Sequence, residues 1–122
     1  MGLCYVASVY SQGNADADLR QKRYEYVRDY VGKNLVPYSL LNNSVLYSPI
    51  VHNHELAKFH DLPKTWDFWR GIDLATLQHC EWMIVLMMPG WKESVGITAE
   101  IQAAMGIGLH IRYVECPDYK EE

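Results

Sequence analysis

Two stretches of this chain, Leu3-Cys4-Tyr5-Val6-Ala7-Ser8-Val9 and Trp82-Met83-Ile84-Val85-Leu86-Met87, are almost uninterrupted apolar sequence. A strand with one wet face alternates apolar and polar residues, whereas a strand covered on both faces reads as a continuous apolar run. Two such strands in a short chain call for a parallel sheet with helices above and below it. Neither run is long enough for a membrane-spanning helix, which takes about 20 apolar residues. The second is stopped by Pro89.

The segments between them supply the other layers. Ser11-Gln12-Gly13-Asn14 is turn chemistry, and Asp16 or Asp18 can cap a helix with the stripe Leu19, Tyr26, Val27, Tyr30 and Val31. That helix is expected to fade around residues 32–37, and residues 38–44 fit no single pattern. Residues 44–48 read as a second strand ended by Pro49. Residues 52–64 read as a polar, histidine-bearing loop, after which Thr65 can cap a helix to about residue 79. Residues 89–94 form a loop, residues 96–105 a helix stopped by Gly106 or Gly108, and residues 109–114 a last strand. The expected fold class is α/β, a three-layer sandwich. Its core is a short parallel flavodoxin- or Rossmann-like sheet of four to five strands with helices on both faces, joined by right-handed crossovers. Ligands bind such sheets at the carboxyl ends of their strands.

With 122 residues, 49% of them hydrophobic, the chain has material for one core, so residues 1–122 are expected to form a single domain. A net charge of −4 argues against a partner of duplex nucleic acid, which is bound mainly through phosphate neutralisation. Small molecules or proteins fit better. The N-terminus lacks a basic leader region, so no secretory signal is expected. Cys4, Cys80 and Cys116 are odd in number and far apart. That pattern suits reduced, buried thiols in a cytoplasmic protein, and neither a membrane nor a disulfide framework is expected.

Two carboxylates stand on faces that should be apolar. With residues advancing about 100° on a helical wheel, Ile97, Ile101, Ala104, Met105 and Gly108 share one face. Glu100 falls beside them, nearly opposite Gln102 and flanked by Ile97, Ala104 and Ile107. A buried carboxylate is costly unless paired, so catalysis is one reason for it. The bland alternative is a dipole-complementing glutamate near a helix N-terminus that reaches solvent. In the preceding helix Trp66, Trp69, Leu77 and Cys80 surround Asp73, although Phe68, Ile72 and Leu74 broaden the apolar surface and leave the core direction open. Tyr5, in the first strand, needs a hydroxyl partner if buried, and Glu100 is a candidate. Ser94-x-Gly96 offers a hydroxyl, close backbone approach and free N–H groups for an anion, while Ser94 is equally a plain N-cap.

Tyr5-Val6-Ala7-Ser8, Asp73 and Ser94-Val95-Gly96-Ile97-Thr98-Ala99-Glu100 together resemble the nucleoside 2-deoxyribosyltransferase superfamily, over residue 3 to about residue 115. The closest likeness is to small members with Pro89-Gly90-Trp91-x-x-Ser94-x-Gly96 ahead of the glutamate. The resemblance implies an enzyme, a nucleotide N-glycosidase in which Glu100 attacks the anomeric carbon, Tyr5 orients it, and Asp73 holds the sugar or assists the departing base. It implies a substrate-binding set of Ser94, Gly96, Ser8, Gly13, His54 and Trp69, with Ser94 favouring a 5′-monophosphate. The transferases carry a further acid after the third strand; that loop has only Glu93 here, so hydrolysis is expected over base exchange. Family members complete the pocket from a neighbouring subunit, which implies a homodimer or higher oligomer. No cofactor is implied.

His52, His54, Glu55, His60 and Asp61 lack the spacing of a metal site, and none is expected. Gly106-Ile107-Gly108 precedes a strand, so it is a helix stop and not a dinucleotide fingerprint. Trp66, Trp69 and Trp91 can stack on a base or fill the core. Two rival functions stand beside the glycosidase: a non-catalytic nucleotide-binding or sensing module, and a structural α/β partner protein.

Overall fold

The computed structural model describes residues 2–41 and 43–121. Strand β1 (Gly2–Ala7) is buried from Cys4 onward. Helix α1 (Ala17–Tyr30) begins where Asp16 accepts a hydrogen bond from the Leu19 N–H at 2.8 Å. The expected fading over residues 32–37 is corrected: the coil continues through a π-turn (Val31–Leu35) into α2 (Val36–Leu41). In that turn the Val36 N–H reaches back to the Val31 carbonyl. The wider coil accommodates Pro37, which lacks an N–H and crowds an ordinary preceding turn. Of the open stretch 38–44, α2 takes the first part and residue 42 lies outside the described residues.

Strand β2 (Ser44–Tyr47) leads to a second correction, because the expected loop 52–64 is helical over most of its length. Helix α3 (Pro49–Phe59) is capped by Ser48, whose Oγ accepts from the Val51 N–H at 3.3 Å, with proline in the first turn. Pro49 thus both ends the strand and opens a helix, since its missing N–H is no loss there. The polar letters that suggested a loop include Asn53 and His54, which with Ala57 form the buried side of α3.

Helix α4 (Trp66–Leu77), strand β3 (Trp82–Met87), a 3₁₀ turn (Trp91–Glu93), helix α5 (Val95–Gly106) and strand β4 (His110–Glu115) follow. Among the described residues the strands form one four-stranded sheet in the order β2-β1-β3-β4, every pair parallel. The chain steps one way from β1 to β2 and the other way from β2 to β3 and β3 to β4. Right-handed crossovers then set α1 on one face and α4 and α5 on the other. Helices α4 and α5 pack together, and Cys4 to Ala7 and Met83 to Leu86 are buried between the layers. The molecule is an α/β three-layer sandwich. No helix among the described residues is long and apolar enough to cross a membrane. All three cysteines are buried and unpaired.

The register fixes one row across the sheet. Tyr5 stands beside Tyr47 and Met83, and Met83 beside Ile111. In-register neighbours point to one side, and the bond from Tyr5 to Glu100 shows that this side faces α5. On α5 itself Ile97, Glu100 and Ala104 are buried, whereas Met105 and Ile107 are exposed. The apolar face expected to include Met105 and Gly108 is therefore narrower and centred on Glu100; Gly108 lies beyond the helix with φ +77°.

Leu77, fully buried one turn after Asp73, seats α4 on the sheet. Leu77→Ala is expected to lower the unfolding free energy by about 2–5 kcal/mol with the helical content unchanged, measured by urea denaturation and circular dichroism.

Candidate functional site

Because β1 and β3 are adjacent but connected outward in opposite directions, the sheet has a switch point between them, where a crevice opens at the carboxyl edge. A cleft of about 300 Å³ lies there. Its wall carries Ser8 and the following loop as far as Asn14, the inner side of α3, the entry to α4, and the stretch from Glu93 to Gly96 that opens α5. Asp73 and Glu100 line its deep part. The volume suits a small ligand.

Glu100 is 5% exposed, and its Oε2 accepts the hydroxyl of Tyr5, itself wholly buried. The expected pair therefore forms, and Glu100 does not reach out to solvent. Burial pushes the Glu100 carboxyl up to about 8; the Tyr5 hydrogen bond opposes this and the negative charge of Asp73 adds to it. Burial, then the charges of Glu100 and Asp73, hold the Tyr5 phenol far above its ordinary range, so it stays a donor.

Asp73 is 6% exposed, and burial pushes its carboxyl up to about 7. Its Oδ1 has no hydrogen-bond partner among the described residues, and neither has the buried Oγ of Ser8. Orphaned polar atoms are rare inside proteins, and two on one cleft are what a polar ligand would satisfy. The core direction of α4, left open by the sequence, is settled: Asp73 and Leu77 turn inward while Phe68 and Ile72 are exposed.

Ser94 caps α5 by accepting from the Ile97 N–H at 3.2 Å, and it also lines the cleft. The accepted bond uses a lone pair and leaves the hydroxyl proton for a ligand. Gly96 sits where space is tight: a Cβ there would lie 3.1 Å from the Trp66 ring, which would have to give by a few tenths of an ångström. The neighbour that comes close is thus an indole of this chain. Gly13 is needed for its backbone, at φ +76° with nothing near its missing side chain. Trp66 and Trp69 belong to the cleft wall and not to the core; the Trp69 indole N–H is fixed to the Pro63 carbonyl at 2.7 Å.

His54 lines the cleft from α3, with both ring nitrogens engaged. Nδ1 meets the Tyr10 hydroxyl at 2.5 Å, Nε2 meets the Gln21 amide oxygen at 2.8 Å, and the ring stacks on Tyr24. An amide oxygen only accepts, so Nε2 carries the proton and Nδ1 accepts from the phenol. Burial lowers the His54 pKa, in keeping with this neutral form. His54 shapes the wall, and its nitrogens are already committed.

The structure adds Asn53 and Lys64 to the cleft. Ser48-Pro49, read as a cap followed by a first-turn proline, would have exposed the α3 face that carries Asn53; no comparable signal marks Lys64. Glu93 lines the cleft from an exposed position at the end of the 3₁₀ turn.

Fold and site together define a small α/β domain with a carboxyl-lined cleft at the switch point of a parallel sheet. The chain belongs to the family described as "Domain of unknown function (DUF1937)", which matches residues 2–115. No curated protein matches it.

The two carboxyls give the stability of the domain a pH dependence of definite sign. Their values rise from 3.8 to about 7 for Asp73 and from 4.5 to about 8 for Glu100, so between those limits the folded chain binds more protons than the unfolded one. The stability they contribute is complete below the unfolded values and is lost as the pH rises through the folded ones. Asp73→Asn and Glu100→Gln should each raise stability at pH 8 by about 1–3 kcal/mol and change it little at pH 4, read from urea midpoints. A parent protein with no such fall in stability would contradict the assignment.

Proposed function

We propose that this domain hydrolyses the N-glycosidic bond of (deoxy)nucleoside 5′-monophosphates through a glycosyl ester on Glu100, as the likeness to nucleoside 2-deoxyribosyltransferases implies. The observation that carries the reading is the Glu100 carboxyl, buried at the base of a cleft and oriented by the Tyr5 phenol.

The geometry divides the labour. With Oε2 held by Tyr5, Oε1 is the oxygen left to attack the anomeric carbon. As the C1′–O bond forms and the C1′–N bond breaks, the base leaves with the electron pair and takes a proton from Asp73. Asp73 then removes a proton from water, whose oxygen attacks C1′ and returns the carboxylate of Glu100, with overall retention. The active form needs a proton on Asp73 and none on Glu100. Burial raises both carboxyls, Glu100 to about 8 and Asp73 to about 7, so the free cleft holds its last proton on Glu100. The substrate must invert this order, with positive charge developing at C1′ favouring the ionised Glu100 and leaving the proton to Asp73.

The rest of the cleft supports the same substrate class. Trp66 and Trp69 offer aromatic surface for a base, Ser94 and the first turn of α5 offer donors for a phosphate, and Lys64 adds a positive charge. The orphaned oxygens of Asp73 and Ser8 suit sugar hydroxyls.

Incubation with a panel of ribo- and deoxyribonucleoside monophosphates, followed by chromatography of free base, tests this. Release is expected, and it should disappear in Glu100→Ala. Ser94→Ala should weaken monophosphates about tenfold or more while leaving nucleosides nearly unchanged, the scale of a lost hydrogen bond to a charged group. Binding without release would point instead to a non-catalytic nucleotide-binding module, and equal losses for both substrate types would remove the phosphate from Ser94.

A further inference from the structure

The loop after β1 forms one side of the cleft, from Ser8 through Asn14, yet it contains no regular structure beyond its turns. Its backbone carbonyls at Tyr10 and Gln12 both accept from the same nitrogen, Nη1 of Arg23, at 2.7 and 2.9 Å. Arg23 lies on α1 and is 3% exposed. The remaining two edges of its guanidinium are taken by Glu121, with Nε to Oε2 at 2.8 Å and Nη2 to Oε1 at 3.1 Å.

This is a fork-to-fork pair, the geometry in which arginine binds a carboxylate most firmly. It also answers a physical need. A guanidinium cannot shed its proton, so a buried one without an anion is costly, and two carbonyl dipoles alone do not neutralise it. Glu121 supplies the charge, and the hydrogen bond to Arg23 holds its carboxyl below the usual range. The Tyr119 hydroxyl also donates to Glu121 Oε2 at 2.9 Å, which fixes the carboxylate from the other side.

We infer that Glu121 is a positioning residue for the cleft: by holding Arg23 in place it sets the loop that carries Ser8, Tyr10 and Gln12. The segment is also held where Tyr10 meets His54, where the Gln12 side chain covers Gly90 and leaves no room for a Cβ there, and where Arg20 Nη1 donates to the Ala15 carbonyl at 2.6 Å. Arg23 is the only grip on the loop's backbone among the described residues that reaches two of its carbonyls at once. Glu121 lies outside residues 2–115, the part matched to the family, so the cleft depends on a residue that the family's shared region does not contain. The inference holds whatever ligand the cleft takes.

Hydrogen exchange on the full chain tests it in Glu121→Gln, with Asp118→Asn as the control. Asp118 accepts from Tyr26 at 2.9 Å in the same tail, and among the described residues it forms no hydrogen bond or ion pair with Arg23 or the loop. In Glu121→Gln, exchange in the segment 8–15, where the Ala15 N–H is bonded to the Ser11 carbonyl, should quicken by about tenfold while β1 and β3 keep their protection. The His54 ring signal in NMR should move with it, since Tyr10 would loosen its hold on Nδ1. Asp118→Asn should do neither. If Glu121→Gln fails to fold, Glu121→Asp, which keeps the charge and spoils only the fork, should show the same local change in smaller measure. Uniform quickening across sheet and loop, or an unchanged segment 8–15 in both variants, would overturn the inference.

Discussion

The Tyr5–Glu100 hydrogen bond is the contact around which the cleft is organised. A carboxyl inside an apolar layer is tolerable only with a fixed donor, and the sheet provides one in a phenol that is itself wholly buried. That requirement reaches back into the fold. Tyr5 can meet α5 only because β1 lies beside β3, and Glu100 can meet β1 only because Ser94 starts α5 at the point that turns residue 100 inward. Register, cap and wheel position converge on one bond.

A second acid, Asp73, reaches the same cleft from a neighbouring helix, and its Oδ1 has no partner among the described residues. The contrast between the two carboxyls is chemical as well as geometric. One has an oxygen held by a donor; the other is buried with an oxygen that no described residue satisfies. Burying both costs the domain stability at neutral and alkaline pH, where each would ionise in the unfolded chain.

The sequence made the sheet legible because β1 and β3 are buried on both faces, and continuous apolar runs mean little else once they alternate with capped helices. The Glu100 and Asp73 positions were legible for a related reason: a charged residue at an inward wheel angle is conspicuous. Other features were hidden by local chemistry with two meanings. Pro49 ends a strand and begins a helix, so the polar letters of α3 read as a loop and give no sign that Asn53 faces the cleft. Pro37 signals a break, but a π-turn absorbs it. Met105 has an apolar side chain yet is 68% exposed, so the apolar letters of α5 overstate its buried face. Arg23 and Glu121 are separated by nearly the whole chain, and no spacing rule links them.

Gly96 has a consequence for how such a cleft can diversify. The first turn of α5 and the indole of Trp66 touch where any side chain would intervene, so the two helix entrances behave as a pair of jaws with position 96 as the stop between them. A methyl group there would press on the Trp66 ring, which would have to give by a few tenths of an ångström. One small residue on the cleft wall thereby sets how closely two helix entrances approach each other.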